Sequence, residues 1–119
     1  MRVMVFVKAT RESEEEKLPK DQMAAMMEEM GRFNSELVKA GIMKEGDCDG
    51  LTPSSKGKRV AFNGKGREVI DGPFGKTSEL VAGYWLWTVK DMDEAVSWVK
   101  RCPNPMPGPS EIEIRPIGG

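Results

Sequence analysis

Residues 80–88 read LVAGYWLWT. As a β-strand this stretch places Val81, Trp85 and Trp87 on one face and Ala82, Tyr84 and Leu86 on the other, because successive strand side chains point to opposite sides. Neither face is polar. The chain opens the same way, with Val3, Val5 and Val7 alternating with Met4 and Phe6 before Lys8 ends the run. Strands that are apolar on both sides need cover on both sides. The question is what supplies it.

Two helices supply half. From Gln22 the apolar period changes to three and four, through Met23, Met26, Met27, Met30, Phe33, Leu37 and Val38. Pro19 suits a first helical turn and Gly41 a left-handed cap. The helix spans about five turns, with Glu28, Glu29, Arg32, Glu36 and Lys39 on its wet side. Its methionines suit either a core stripe or a pliable docking groove, and continuity of phase into Phe33 and Leu37 favours the core. A second helix starts at Asp91, with Glu94 completing a D-x-x-E capping pattern. Met92, Ala95, Val96, Val99 and Cys102 form its stripe, Lys100 and Arg101 complement its carboxyl end, and Pro103 stops it.

Between the helices the spacing predicts a brief strand at 43–46, a loop to Ser55, and a hairpin of 58–62 and 67–70 around Asn63-Gly64-Lys65-Gly66. The glycines there complete neither a dinucleotide nor a P-loop motif. After the second helix, PNPMPGP at 103–109 reads as a stiff connector, with polyproline recognition as the alternative. A last strand over 111–115 sets Ile112 and Ile114 against Glu111, Glu113 and Arg115, one face dry and one polar.

This order predicts a single α+β domain over 1–119, a ferredoxin-like βαββαβ plan with an extra hairpin. Two helices cover only one face of such a sheet. The other face would leave large apolar side chains in water, each worth on the order of 1.5–3 kcal/mol on burial. A homodimer with sheets packed face to face is the expected remedy.

Composition narrows the chemistry. Eighteen basic and nineteen acidic residues give a net charge of -1, so no direct nucleic-acid surface is expected. The absence of histidine removes the commonest general base and metal ligand. Cys48 and Cys102 form no CxxC pair and read as reduced thiols. Neither a metal nor a cofactor is expected. The first strand is too short for a signal peptide and no segment is long enough to span a membrane, so a cytoplasmic protein is expected.

Asp71-Gly72-Pro73-Phe74 is followed by Glu79-Leu80, Gly83-Tyr84-Trp85-Leu86, Asp91-Met92-Asp93-Glu94-Ala95, Arg101-Cys102-Pro103 and Glu113-Ile114-Arg115-Pro116. With Met23-Ala24-Ala25-Met26-Met27, this ordered set resembles the YCII-related, DGPF-domain family over essentially the whole chain. The resemblance implies a dimeric α+β barrel. It also implies a divided activity, since some relatives are lyases, notably dehydrochlorinases, and others accompany extracytoplasmic-function sigma factors. YCII-type catalysts use a histidine near the start of the first helix and an aspartate directly before a proline after the second. Here those regions read Pro19-Lys20-Asp21-Gln22 and Cys102-Pro103, so the dyad is absent. Lys76 and Ser78 stand where relatives commonly carry an acid and a lysine.

The segment DGPFGK at 71–76 has two readings. As a turn, its glycines and Pro73 reverse the chain, Phe74 buries its ring, and Asp71 accepts from backbone N–H groups. As part of a site, Asp71 joins Glu79, Glu113 and Arg115 around a cleft between subunits. Arg115 would clamp an anion, and a carboxylate desolvated by the tryptophans would act as a base. Three functions follow in order: binding of a small anionic or aromatic molecule between the sheets, an interaction module for a sigma-factor partner, and a lyase or isomerase using Asp71 or Glu79.

Overall fold

The computed structural model describes residues 1–118. Its elements are β1 (Arg2–Lys8), α1 (Arg11–Glu14), α2 (Lys20–Lys39), β2 (Cys48–Gly50), β3 (Lys58–Asn63), β4 (Gly66–Asp71), β5 (Val81–Thr88), α3 (Met92–Arg101) and β6 (Ile112–Pro116). The main sheet is antiparallel in the order β2-β5-β1-β6, and β3 and β4 form a separate two-stranded sheet. Without β3, β4 and the single turn of α1, this is the expected ferredoxin-like βαββαβ plan. The extra hairpin is inserted between β2 and β5.

The helices meet one face of the sheet. Val3, Val5, Val7, Trp85 and Trp87 are buried there with Phe33, Leu37 and Ala95. The Phe33 ring lies 6.3 Å from both Trp85 and Trp87, edge-on to each, a geometry that suits aromatic quadrupoles. Trp85 Nε1 donates to Asn34 Oδ1 at 2.8 Å. Trp87 Nε1 is buried and finds no acceptor among the described residues, a cost of about 1–3 kcal/mol that surrounding apolar contact offsets.

Both long helices end as their sequences direct. Gly41, at φ 75°, closes α2 in a Schellman arrangement: Gly41 N–H donates to the Val38 carbonyl at 3.1 Å and Ile42 N–H to the Leu37 carbonyl at 2.9 Å. The Asp91 carboxylate accepts from Glu94 N–H at 2.9 Å, while Glu94 Oε1 accepts from Lys90 N–H at 2.8 Å, one residue earlier than a capping box requires. The one-turn α1 is unexpected. Its signal was the pair Thr10 and Ser13, whose hydroxyls cap it reciprocally.

Three local expectations change. The strand expected at 43–46 is instead Cys48–Gly50, because Asp47 N–H turns back to the Lys44 carbonyl and Gly46 sits at φ 90°. Ile42 and Met43 are buried without being in a strand. A bulge between Val7 and Lys8 brings Val81 opposite Lys8, and Ala82 packs on the core, reversing the faces expected for these two residues. The methionine stripe also divides: Met30 packs on the core beside buried Phe33 and Leu37, whereas Met27 is 64% exposed and Met23 and Met26 line an open groove. α2 bears on the sheet only through its carboxyl half.

Leu37→Ala should therefore cost about 2–5 kcal/mol, whereas Met27→Ala on the same helix should stay within about 0.5 kcal/mol. Urea denaturation followed by tryptophan fluorescence measures both, and equal losses would contradict the one-sided packing of α2.

Candidate functional site

The uncovered face of the sheet is built by register. Met4 lies opposite Leu86 and Arg115, and Phe6 opposite Tyr84 and Glu113. Asp49 extends the row beyond Tyr84 on the edge strand β2. Cross-strand partners share a face, so an apolar strip of Met4, Phe6, Tyr84 and Leu86 runs beside Glu113 and Arg115. Ile112 and Ile114 pair with Val7 and Val5 on the helix-covered side.

Three charged side chains gather at the β6 edge of this strip. Arg115 Nε stands 2.7 Å from Glu113 Oε2, and Lys8 Nζ 3.7 Å from Glu113 Oε1. Lys8 and Glu113 are half-buried while Arg115 is largely exposed. One carboxylate shared by two cations leaves a positive charge in excess, an arrangement suited to an incoming anion. Lys8 was absent from the expected site. Strand alternation supplied the missing signal, since Lys8 follows Phe6 at the spacing that keeps a side chain on one face.

Asp71 and Glu79 are placed elsewhere. Asp71 ends β4 opposite Lys58, whose ammonium it pairs with at an exposed position. It does not take the turn amides that the sequence suggested. Glu79 closes a single 3-10 turn, Thr77–Glu79, and is exposed. Trp85 and Trp87 face the helices, away from Glu113, so they cannot serve as the desolvating wall expected for a carboxylate base.

The DGPF segment clasps the root of the hairpin. Gly72 N–H donates to the Gly57 carbonyl at 3.1 Å, and Phe74 N–H to Ser54 Oγ at 3.1 Å. Ser54 N–H in turn donates to Glu14 Oε2 at 2.9 Å, and its hydroxyl bonds the other Glu14 oxygen. The half-buried Phe74 ring lies 4.2 Å beneath the Arg59 guanidinium, a cation–π contact. A Cβ on Gly72 would stand 1.8 Å from the Ser54 carbonyl oxygen. Here glycine is required by close approach of two backbones. Glu14 and Ser54 carry no local sequence signal because they meet across forty residues.

The start of α2 and the segment after α3 do come together. Leu18, Pro19, Gln22, Met23, Met26 and the 104–107 segment line one groove. Its lining contains neither a histidine nor a carboxylate. The Asn104 side chain is committed to its own loop, accepting from Met106 N–H at 3.0 Å and Ser110 Oγ at 2.6 Å and donating to the Gly108 carbonyl at 2.9 Å. The proline-rich connector is thus folded around Asn104, and Met106 is buried.

Neither thiol is activated. Burial pushes the Cys102 thiol up to about 12, with Met30 Sδ 4.0 Å away. Cys48 is raised by burial and, secondarily, by Asp49 and Asp47. Among the described residues no group of three or more His, Cys, Asp or Glu is placed to hold a metal ion, and no helix is long and apolar enough to cross a membrane.

An antiparallel four-stranded sheet, helices on one side and a mixed apolar and charged strip on the other, defines a ferredoxin-like α+β protein with an open sheet face. The chain belongs to the YCII-related domain family, whose profile matches residues 1–118. It is also similar to an uncharacterised protein of Rhizobium meliloti, 26% identical over 98 residues that cover 82% of this chain and 77% of that protein.

Two outcomes are expected. Gly72→Ala should lose about 1–3 kcal/mol or more through the backbone clash, whereas Gly75→Ala, with nothing within 4 Å of its Cβ, should melt within a degree or two of the parent. Differential scanning calorimetry distinguishes them. Raised thiols also set a pH dependence: above about pH 9, the ordinary value for cysteine, the unfolded chain ionises first, so stability falls as pH rises. Denaturation midpoints across pH 8–11 should show this decline, and Cys102→Ala should flatten it.

Proposed function

We propose that this protein is a homodimer that binds a small anionic or aromatic molecule between two facing sheets. The observation that carries this reading is the open face itself: Met4, Phe6, Tyr84 and Leu86 bordered by Lys8, Glu113 and Arg115. Packing two such faces together would remove apolar surface from water and leave the charged β6 edge as the polar part of a cleft. In that cleft Arg115 is the anion clamp, held in place by Glu113, and Tyr84 and Phe6 offer aromatic faces to a planar ligand. Asp71 and Glu79 stand outside this rim within one protomer, and in this reading they reach the ligand only from the partner.

The chemistry proposed is binding. The groove at the start of α2 lacks an acid–base pair in its lining, and the carboxylate at the open face is already shared by two cations.

A thermal-shift screen of small anions and aromatic acids, run on a sample whose solution mass is also measured, tests the proposal. The expected result is a dimer stabilised by at least one such ligand, with Arg115→Ala weakening binding about tenfold or more, roughly 1.4 kcal/mol. A monomer indifferent to every compound would overturn it. A dimer that ignores all ligands but captures a sigma factor would favour the interaction-module reading instead.

A further inference from the structure

We propose that the β3–β4 hairpin is an arm that packs on a second copy of the chain, beside the partner's sheet face rather than on it; this rests on the homodimer reading above. Every residue of both strands is exposed, and the two strands pair only with each other. A two-stranded hairpin with nothing against it is marginal in water. The radius of gyration, 15.8 Å, exceeds the roughly 13.5 Å expected of a compact domain of this length, as a projecting arm requires.

The arm has an apolar face of its own. Val60 is paired with Val69 and Phe62 with Arg67, which puts Val60, Val69 and Phe62 on one side at 48, 62 and 71% exposure. The Arg67 guanidinium lies 4.5 Å from the Phe62 ring centroid and covers part of it. The clasp of Gly72, Gly57, Ser54, Phe74 and Glu14 ties the arm's root to the body. With the root held in this way, the apolar face is left exposed.

Charge points to the occupant. Residues 56–76 contain six cations and two carboxylates, whereas the rest of the chain has twelve cations and seventeen acids. The arm is therefore cationic and the body anionic. Its own body does not cover it, and a second copy offers the same anionic body beside its sheet face. A two-fold axis lets each chain give one arm and receive one. A cationic β-ribbon also suits a DNA groove, but contacts to phosphate would leave Val60, Val69 and Phe62 in water.

Sedimentation equilibrium on the full chain tests the proposal. The variants are Phe62→Glu, Phe62→Leu and, on the sheet face, Leu86→Glu, each checked by circular dichroism for an unchanged fold. Phe62→Glu should raise the dimer dissociation constant at least tenfold while Phe62→Leu stays near the parent. Benzoylphenylalanine at position 62 should, on irradiation, join two chains into a species of about twice 13.2 kDa. If Phe62→Glu leaves the dimer intact and only Leu86→Glu dissociates it, the arm proposal fails and the facing-sheet reading survives. If Phe62→Glu dissociates the dimer and Leu86→Glu does not, the arm contact survives without the facing sheets. A parent protein monomeric at every concentration overturns both, and salt-sensitive duplex binding lost in Arg67→Ala, with no crosslinked dimer, overturns the choice of a second copy.

Discussion

The contact between the Val3, Val5, Val7, Trp85 and Trp87 layer and the helical residues Phe33, Leu37 and Ala95 is the one on which the remaining structure depends. It uses one side of the sheet and both long helices. Among the described residues no helix is then left to cover Met4, Phe6, Tyr84 and Leu86 on the reverse side, where they stand half-buried. The sheet edge strand β6 reflects the same asymmetry, with isoleucines turned to the helices and Glu113 and Arg115 turned away. The proposed site and the proposed dimer both follow from this unequal division of cover.

The DGPF segment belongs to a different layer of the design. Its glycine lets two backbones approach, its phenylalanine N–H meets Ser54, and Ser54 carries the contact to Glu14 on α1. A motif that looks catalytic in sequence, with an acid beside a tight turn, thus organises the root of the hairpin. Asp71 spends its charge on Lys58 at an exposed position, where an ion pair contributes at most about 1 kcal/mol. The stiffness of the root comes from hydrogen bonds and steric fit. Charge enters through the Glu14 carboxylate and the Arg59 guanidinium, not through Asp71.

The two ends of α2 show how one apolar stripe can serve two environments. Phe33 and Leu37 reach the sheet, while Met23 and Met26 overhang a groove whose far wall is the folded proline connector. Periodicity reports that a helix has an apolar face, but it does not report how far along its length a neighbour extends. The same limit explains the strand misplaced to 43–46. Met43 is buried as a core residue should be, yet a reversal at Gly46 removes it from the ladder.

Much of the fold was legible in local pattern. The alternation in β1, β5 and β6, the Asp91 cap, the left-handed Gly41 and the hairpin turn all depend on neighbouring residues and on backbone geometry that a few side chains specify. Of the candidate site, Glu113 and Arg115 were legible as the polar face of their strand, and Lys8 could have been added by the same alternation. The bulge that reversed Val81 and Ala82, the bonds from Ser54 to Glu14, and the separation of Asp71 and Glu79 from the charged edge were not. The amino-acid order by itself determined where the two long helices and the β1, β5 and β6 strands form and most of each one's apolar face, because those properties repeat over two to four residues. Only the tertiary structure decided which apolar face the helices cover and which is left open, because that choice depends on contacts between segments far apart in the chain.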